Sequence, residues 1–419
     1  MEKSKQKSTD LSVSSGDSIV HNSPESPEAI SSKNLDGGVK AWIQVLGAWT
    51  LFFNTWGITN SFGVFETYFT TSLELGVSPS TISWVGSSQT FLLMFIGVIA
   101  GRMLDYGYLR LQLIIGTFLV VFGTLMTSFA KQYWQILLSY GICVGTGTGF
   151  LWLPSVAVVS QYFQRRKMLA VGIAATGSSL GNDLNISVVG MKSRVPPRNV
   201  PAPINVAFFR DVPYVVFIIG ITCLFASVYI PFFYIKDFAL TLSTSDHFQL
   251  AVLSAMNAAS LIGRLFPNWI ADKVGSLPVT VICCFLCAMI MFLWLVVSQP
   301  ANTLAISIAY GFFSGGMVSL PPVTIAELST TPGQYGTRMG MAYTICSFGA
   351  LIGNPIAGKL LGGVAQSNDS WVDAGPSVFQ GLWLFAASVM LAAACLIASV
   401  WWMKFSREHA KTSPERVSS

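Results

Sequence analysis

Residues 136–160 read ILLSYGICVGTGTGFLWLPSVAVVS, an unbroken stretch with no charged side chain. A helix rises about 1.5 Å per residue, so about 20 residues cross a hydrocarbon core of about 30 Å. The stretch is long enough, and in lipid a helix satisfies its backbone hydrogen bonds within itself. Nine more apolar runs accompany it, at roughly 41–65, 82–104, 111–129, 212–235, 247–267, 279–298, 303–325, 339–361 and 378–403. Ten such runs predict an all-α, multi-pass membrane protein.

Composition points the same way. Hydrophobic residues make up 52% of the chain and charged residues 10%, where a soluble domain carries about 25% charged. The net charge of +5 lies in tails and loops beside the runs, so it reads as an orientation signal and not as a nucleic-acid footprint. Residues 1–37 are polar and Ser-rich with no apolar segment. They are expected to form a disordered cytosolic tail without a cleavable signal, in which Ser23-Pro24 is either a phosphorylation site or plain solubilising sequence. All seven cysteines fall inside apolar runs, which argues against a disulfide framework. Cys283, Cys284 and Cys287 have a metal-like spacing but no His nearby, so small packing residues are the expectation. Gly145, Gly147 and Gly149 lack the Lys-Ser/Thr that completes a phosphate loop and read as close-packing positions. No cofactor, metal site or acid–base pair is expected, and hence no enzyme.

Basic residues mark one side. Lys3, Lys5, Lys7, Lys33 and Lys40 precede the first run; Arg102 and Arg110, then Arg165, Arg166 and Lys167, then Lys192, Arg194, Arg198 and Arg210 occupy alternate loops; Arg264, Lys273, Arg338, Lys404, Arg407, Lys411 and Arg416 continue the series. The intervening loops hold Lys131, Lys236 and Lys359. This bias places both termini in the cytosol, with plasma membrane as the default location and a vacuolar membrane as the other.

The two halves echo each other. Gly101-Arg102-Met103-Leu104-Asp105 closes the second run, and Gly263-Arg264 followed by Asn268 to Gly275 closes its counterpart. Tyr140-Gly141 and Tyr310-Gly311 occupy equivalent places, and a shift of 172 lays Arg166 on Arg338, Gly177 on Gly349 and Gly181 on Gly353. Repeated halves are a mark of alternating-access transporters, whose solute site lies at the interface of the repeats.

At these residues the chain resembles the major facilitator superfamily, and within it the fungal form of the monocarboxylate-transporter-like family. Asp36-Gly37-Gly38 before Ala41-Trp42 is similar to that family's entry signature. Gly101 to Arg110 is similar to its loop motif, with Gly107 one place early. Gln161-Tyr162-Phe163, Arg165-Arg166, Gly172-Ile173-Ala174, Gly177-Ser178-Ser179, Pro267-Asn268, Ala271-Asp272 and Gly336 to Gly340 complete the ordered set, which covers about 35–405. The resemblance implies two pseudo-symmetric helical bundles that rock about a central site. Asp105 and Asp272, with Arg102, Lys273, Arg166 and Arg338, are candidates for a conformational latch. A carboxylate at a helix end can meet a facing helix N-terminus or a cytosolic Arg; the alternative is ordinary loop solvation.

The pattern breaks after Gly181. From Arg338 to Lys404 is 66 positions, from Arg166 to Lys192 only 26, a shortfall of 40. One span and a loop are missing by this comparison. The remaining stretch, 168–191, contains Asn182, Asp183 and Asn185, and a central Asp costs about 2.5–3.5 kcal/mol on insertion. A single crossing there would invert every later loop against the charge bias. The expectation is an irregular, re-entrant or strained segment and an incomplete first bundle, as an internal deletion would leave. The expected organisation is a tail at 1–37, a truncated bundle at 38–191, a central cytosolic loop at 192–211, a six-helix bundle at 212–404 and a tail at 405–419.

Polar residues within spans invite a functional reading. Arg264 falls where the resemblance places a carboxylate-holding Arg, and a guanidinium can grip a carboxylate with two parallel bonds. The other reading is structural: Arg264 snorkels to lipid phosphates or pairs with Asp272. The proton-coupling charges of the animal carriers fall on Ser260 and Asn60 here, so coupling to protons stays open. Asn60, Asn257, Gln89 and Tyr343 join Arg264 as candidate substrate contacts, each alternatively a helix–helix contact. Trp49, Trp56, Phe91, Tyr229 and Phe232 could stack on a planar ring or serve as packing. Two functions stay open: a secondary transporter for a small organic solute such as a monocarboxylate, with lipid as its surroundings, or a non-transporting sensor or inactive deletion variant of one.

Overall fold

The computed structural model describes residues 38–60, 62, 65, 79–163, 165–180, 206–242, 245–329, 335–365 and 375–412. Their long elements are helices: α1 (Val39–Asn60), α2 (Pro79–Phe95, continuing as Gly97–Asp105), α3 (Leu109–Phe129), α4 (Tyr133–Tyr162), α5 (Lys167–Leu180), α6 (Val212–Leu242), α7 (Asp246–Val274), α8 (Ser276–Leu293), α9 (Pro300–Glu327), α10 (Tyr335–Ala365) and α11 (Gln380–Thr412). Among the described residues nine helices are long and apolar enough to cross a membrane; α1 and α5 are the other two.

Glycines make the sharpest corners. Gly107 (φ 82°) turns α2 into α3 and Gly275 (φ 97°) turns α7 into α8, a left-handed backbone that only glycine adopts freely. The two corners are equivalent in the repeat, and so is the packing around them. In the first bundle α1 lies on α5 and α4, and α2 and α3 lie on α4. In the second, α6 lies on α10, and α7 and α8 lie on α9. Tyr140 Oη donates to the Ile58 carbonyl at 3.2 Å, and Tyr310 Oη donates to the Val228 carbonyl at 2.8 Å. Gly177 presses on the Trp49 carbonyl as Gly349 presses on that of Thr222, where a Cβ would come within 2.2 and 2.3 Å of oxygen.

The repeat fails in one place. In the second bundle α11 lies along α6 and α8. Among the described helices nothing holds the matching position over α1 and α3. The most apolar stretch of α3 is accordingly 33% buried, against 56% for its counterpart α8.

The stretch 168–191 reads as irregular in sequence, yet Lys167–Leu180 is a regular helix; 181–191, with the polar cluster Asn182 to Asn185, lies outside the described residues. The small residues that weaken its apolar drive are the ones that let α5 seat between α1 and α7. Helix α11 continues to Thr412, into the stretch assigned to the tail at 405–419. Residues 1–37 and most of 192–211 also lie outside the described set, apart from a short 3-10 turn at Val206–Arg210 and the N-cap Asp211.

Candidate functional site

Two seams join the bundles: α2 against α10, and α5 against α7. Both depend on missing side chains. A Cβ on Gly101 would stand 2.2 Å from the Gly336 carbonyl oxygen, one on Gly340 2.2 Å from that of Gly97, and one on Gly172 2.3 Å from that of Arg264. Backbones this close leave little room for solvent between the bundles.

At one end of each seam a carboxylate caps a helix of the opposite bundle. Asp105, ending α2, accepts the N–H groups of Gly336 (3.2 Å) and Thr337 (2.8 Å) and the Thr337 hydroxyl (2.6 Å) at the start of α10. Asp272, near the end of α7, accepts the N–H groups of Met168 (2.9 Å) and Leu169 (3.0 Å) at the start of α5. A helix start carries unsatisfied donors and the positive end of the dipole, so a carboxylate there is stabilised twice over. Both ends lie on the face that carries Arg102, Arg110, Arg165, Arg166 and Lys273, here called the basic face.

The other candidate latch residues are placed differently. Arg102 donates to Tyr106 Oη at 2.6 Å and lies over its ring. Lys273 sits 3.7 Å above the Trp269 ring. Arg166 shares a pocket with Asp272. Arg338 stays within the second bundle: it pairs with Asp211 at 2.8 Å, donates to the Leu328 carbonyl at 3.1 Å, and is flanked by the rings of Tyr214 and Phe208. Asp211 and Tyr214 were not singled out from sequence. An acidic residue just before a span was the available signal, but its partner lies 127 residues away.

Removal of either cap is expected to loosen the basic face. A side-chain cap is worth about 0.5–2 kcal/mol, and 1.4 kcal/mol is a factor of ten. Asp105→Ala or Asp272→Ala should therefore speed modification of a cysteine placed at buried Met339 by a membrane-impermeant thiol reagent, roughly 2- to 30-fold. Unchanged rates in both variants would assign the two carboxylates to loop solvation.

Deeper along the same interface lies a cavity of about 20 Å³, lined by Phe52, Trp56, Trp152, Phe225, Arg264 and Ser319 among others, about the room one water needs. Trp56 stacks on Tyr229 (5.6 Å, 17°) and meets Trp152 edge-on (6.1 Å). Trp152 meets Tyr343 edge-on at 4.4 Å, and Phe225 meets Tyr343 at 5.8 Å. Rings from α1, α4, α6 and α10 thus surround one point between the bundles.

Arg264 enters this cage from α7. It is 8% exposed, and one Nη donates to the Ala175 carbonyl of α5 while Nε has no partner. The guanidinium is neither turned out to lipid phosphates nor paired with Asp272, whose oxygens are engaged by α5; both structural alternatives raised from sequence are corrected here. Asn268 fixes the backbone beneath it, donating to the Arg264 carbonyl and, at 2.6 Å, to Ser319 Oγ.

Of the sequence-predicted contacts, Arg264 lines the cavity and Tyr343 meets one of its lining rings, Trp152. Asn60 donates to the Ser178 carbonyl at 3.2 Å, and Asn257 donates to Leu253 of its own helix at 3.1 Å. Gln89 is fully buried with neither amide atom bonded. None of these three lines the cavity. Sequence reasoning missed Trp152, Phe225 and Ser319; a Trp far from the interfacial belt was the one usable signal.

Comparison with known proteins agrees with this architecture. The family model described as Major Facilitator Superfamily matches residues 46–190 and 196–418. The MFS-type transporter dbaD of Emericella nidulans (strain FGSC A4) is 35% identical over 392 residues, covering 86% of each chain. The aspyridones efflux protein apdF of the same organism is 31% identical over 429 residues, covering 94% of this chain and 84% of its own. The crystal structure of the human organic anion transporter MFSD10 (TETRAN) superposes with a TM-score of 0.64 at 13% identity, covering 86% of this chain and 100% of the other; that likeness concerns the fold alone.

Proposed function

This chain belongs to the Major Facilitator Superfamily, whose members are multi-pass membrane transporters of small solutes, and on that premise we propose that it exports a small organic acid with a flat, apolar body by alternating access. The observation that carries the reading is the buried Arg264 guanidinium, with an unpartnered Nε, set among aromatic rings at the interface of two repeated bundles. A guanidinium supplies planar donors for a carboxylate, and aromatic faces favour flat apolar surface. The cavity is too small for such a solute, so the bundles must part to admit one, and the two capped seams on the basic face are the contacts that would break and re-form. Export is suggested by relatives named as efflux proteins, and a monocarboxylate-transporter-like placement by the motifs at Gly101–Arg110 and Gln161–Ser179. Both termini are assigned to the cytosol from the charge bias.

The test is transport itself. Inside-out membrane vesicles from a transport-deficient yeast expressing the chain should accumulate at least one labelled aromatic or heterocyclic carboxylic acid, and the uncharged methyl ester should not compete. Absence of accumulation across a broad acid panel, with the protein present in the membrane, would overturn the proposal.

A second reading has its own support. The 33% burial of α3 against 56% for α8, with α11 unmatched among the described helices of the first bundle, supports a first bundle one helix short of its counterpart. On this reading the chain is a non-transporting deletion variant. Expressing a version with one added apolar span between Gly181 and Met191 separates the two: transport restored only by the insertion favours the variant.

A further inference from the structure

The α5–α7 seam opens on its outer side. Outside the Asp272 cap lies a pocket of about 470 Å³ lined by Arg165, Arg166, Leu169, Trp269, Asp272 and Lys273. It shares no residue with the central cavity. Arg166 and Lys273 line it beside the carboxylate of Asp272, which already accepts two N–H groups from α5 and lies within electrostatic reach of Glu327. The repeat sharpens the contrast. Arg338, the equivalent of Arg166, has a carboxylate of its own in Asp211 at 2.8 Å. Among the described residues Arg166 has no such ion pair.

The surroundings indicate where a counter-charge would come from. Trp269 is 43% exposed, and Phe266, Ile262 and Val274 on the same helix are also exposed, an apolar surface suited to acyl chains. Lys273 lies against the Trp269 ring, at the helix end where α7 turns at Gly275. Aromatic rings with adjacent cations are the pattern of a membrane–water boundary, and basic pockets between spanning helices take anionic headgroups.

We propose that this pocket binds a phosphate group, supplied by an anionic membrane lipid, with Arg166 and Lys273 as its principal donors. A phosphate there bridges the α4–α5 corner of the first bundle and the end of α7 in the second. It therefore favours the state in which the basic face is closed, adding to the Asp272 cap a charge contact that Arg338 already makes internally on the other side.

The experiment uses the full chain, purified in detergent, stripped of lipid and examined by native mass spectrometry. Phosphatidylinositol adducts are expected to persist at concentrations roughly tenfold below those needed for phosphatidylcholine. The double variant Arg166→Gln/Lys273→Gln should lose that preference. The control Lys404→Gln/Arg407→Gln, which removes the same charge from the end of α11, should keep it and shows that the loss is not general electrostatics. Inorganic phosphate is titrated in parallel. If it displaces phosphatidylinositol at low millimolar concentration and stabilises the protein in phosphatidylcholine nanodiscs, the same phosphate site is filled from solution. Equal retention of both lipids by the unmodified chain, or an undiminished preference in the Arg166/Lys273 variant, overturns the proposal. A variant that fails to fold is replaced by Lys273→Met, which keeps the stem packed on Trp269 and should lower the preference severalfold.

Discussion

Arg264→Ala is expected to reduce transport of a carboxylate solute by roughly 10- to 150-fold. The estimate follows from the loss of a buried charge-assisted hydrogen bond, about 1.5–3 kcal/mol, at 1.4 kcal/mol per factor of ten. Arg264→Lys keeps the charge but loses the planar fork, so it should recover only part of the activity. Because one Nη also ties α7 to the Ala175 carbonyl of α5, a purely structural role needs to be separated. Transport of the neutral amide analogue does this: a solute-holding Arg264 predicts that the amide is affected little, whereas structural glue predicts that acid and amide fall together. Initial rates in vesicles over a range of solute concentration are the measurement, with the protein level fixed by immunoblot.

Gly101→Val is expected to hold the basic face open and to abolish most transport. A Cβ at this position would lie 2.2 Å from the Gly336 carbonyl oxygen and 2.7 Å from its carbon, and both are backbone atoms that cannot rotate away. Overpacking of this kind costs about 1–3 kcal/mol. In a protein with two states the cost falls only on the closed one, shifting the population about 5- to 150-fold. Spin labels at Arg110 and Lys404 should report a longer mean separation in the variant. Gly381→Val is the matched control, since a Cβ there meets nothing within 4 Å; it should leave both distance and transport unchanged. An unchanged distance in Gly101→Val would show that α2 and α10 do not separate during the cycle.

Much of the architecture is legible in the chain because lipid imposes a length and a polarity on every crossing. The repeat is legible for a related reason: Tyr140 and Tyr310 make the same bond to the neighbouring helix, so the same residue recurs at the same place. Asp105 and Asp272 stand out as charges at helix ends. Their partners do not, because helix-start N–H groups leave no mark in side-chain identity. The central site was half visible. A buried Arg in an apolar run announces itself, but Trp152 and Phe225 look like any span aromatic until α1, α4, α6 and α10 are set around one point. Asn60 and Asn257 lie outside the cavity lining, because a helix can absorb an amide by bonding it to a backbone carbonyl, as both do. In α5 the small and polar residues suggest an irregular or re-entrant segment if insertion energy alone is considered, while close approach to Trp49 and Arg264 is what they permit.

The paired caps carry a further implication. Helix α2 of one bundle grips the start of α10, and α7 of the other grips the start of α5, so each bundle gives to its neighbour what it receives. That reciprocity is the geometry of an isologous, two-fold contact between identical subunits. Within one covalent chain the two clasps are thus related as they would be across the axis of a symmetric dimer, so a change that weakens one has an equivalent at the other.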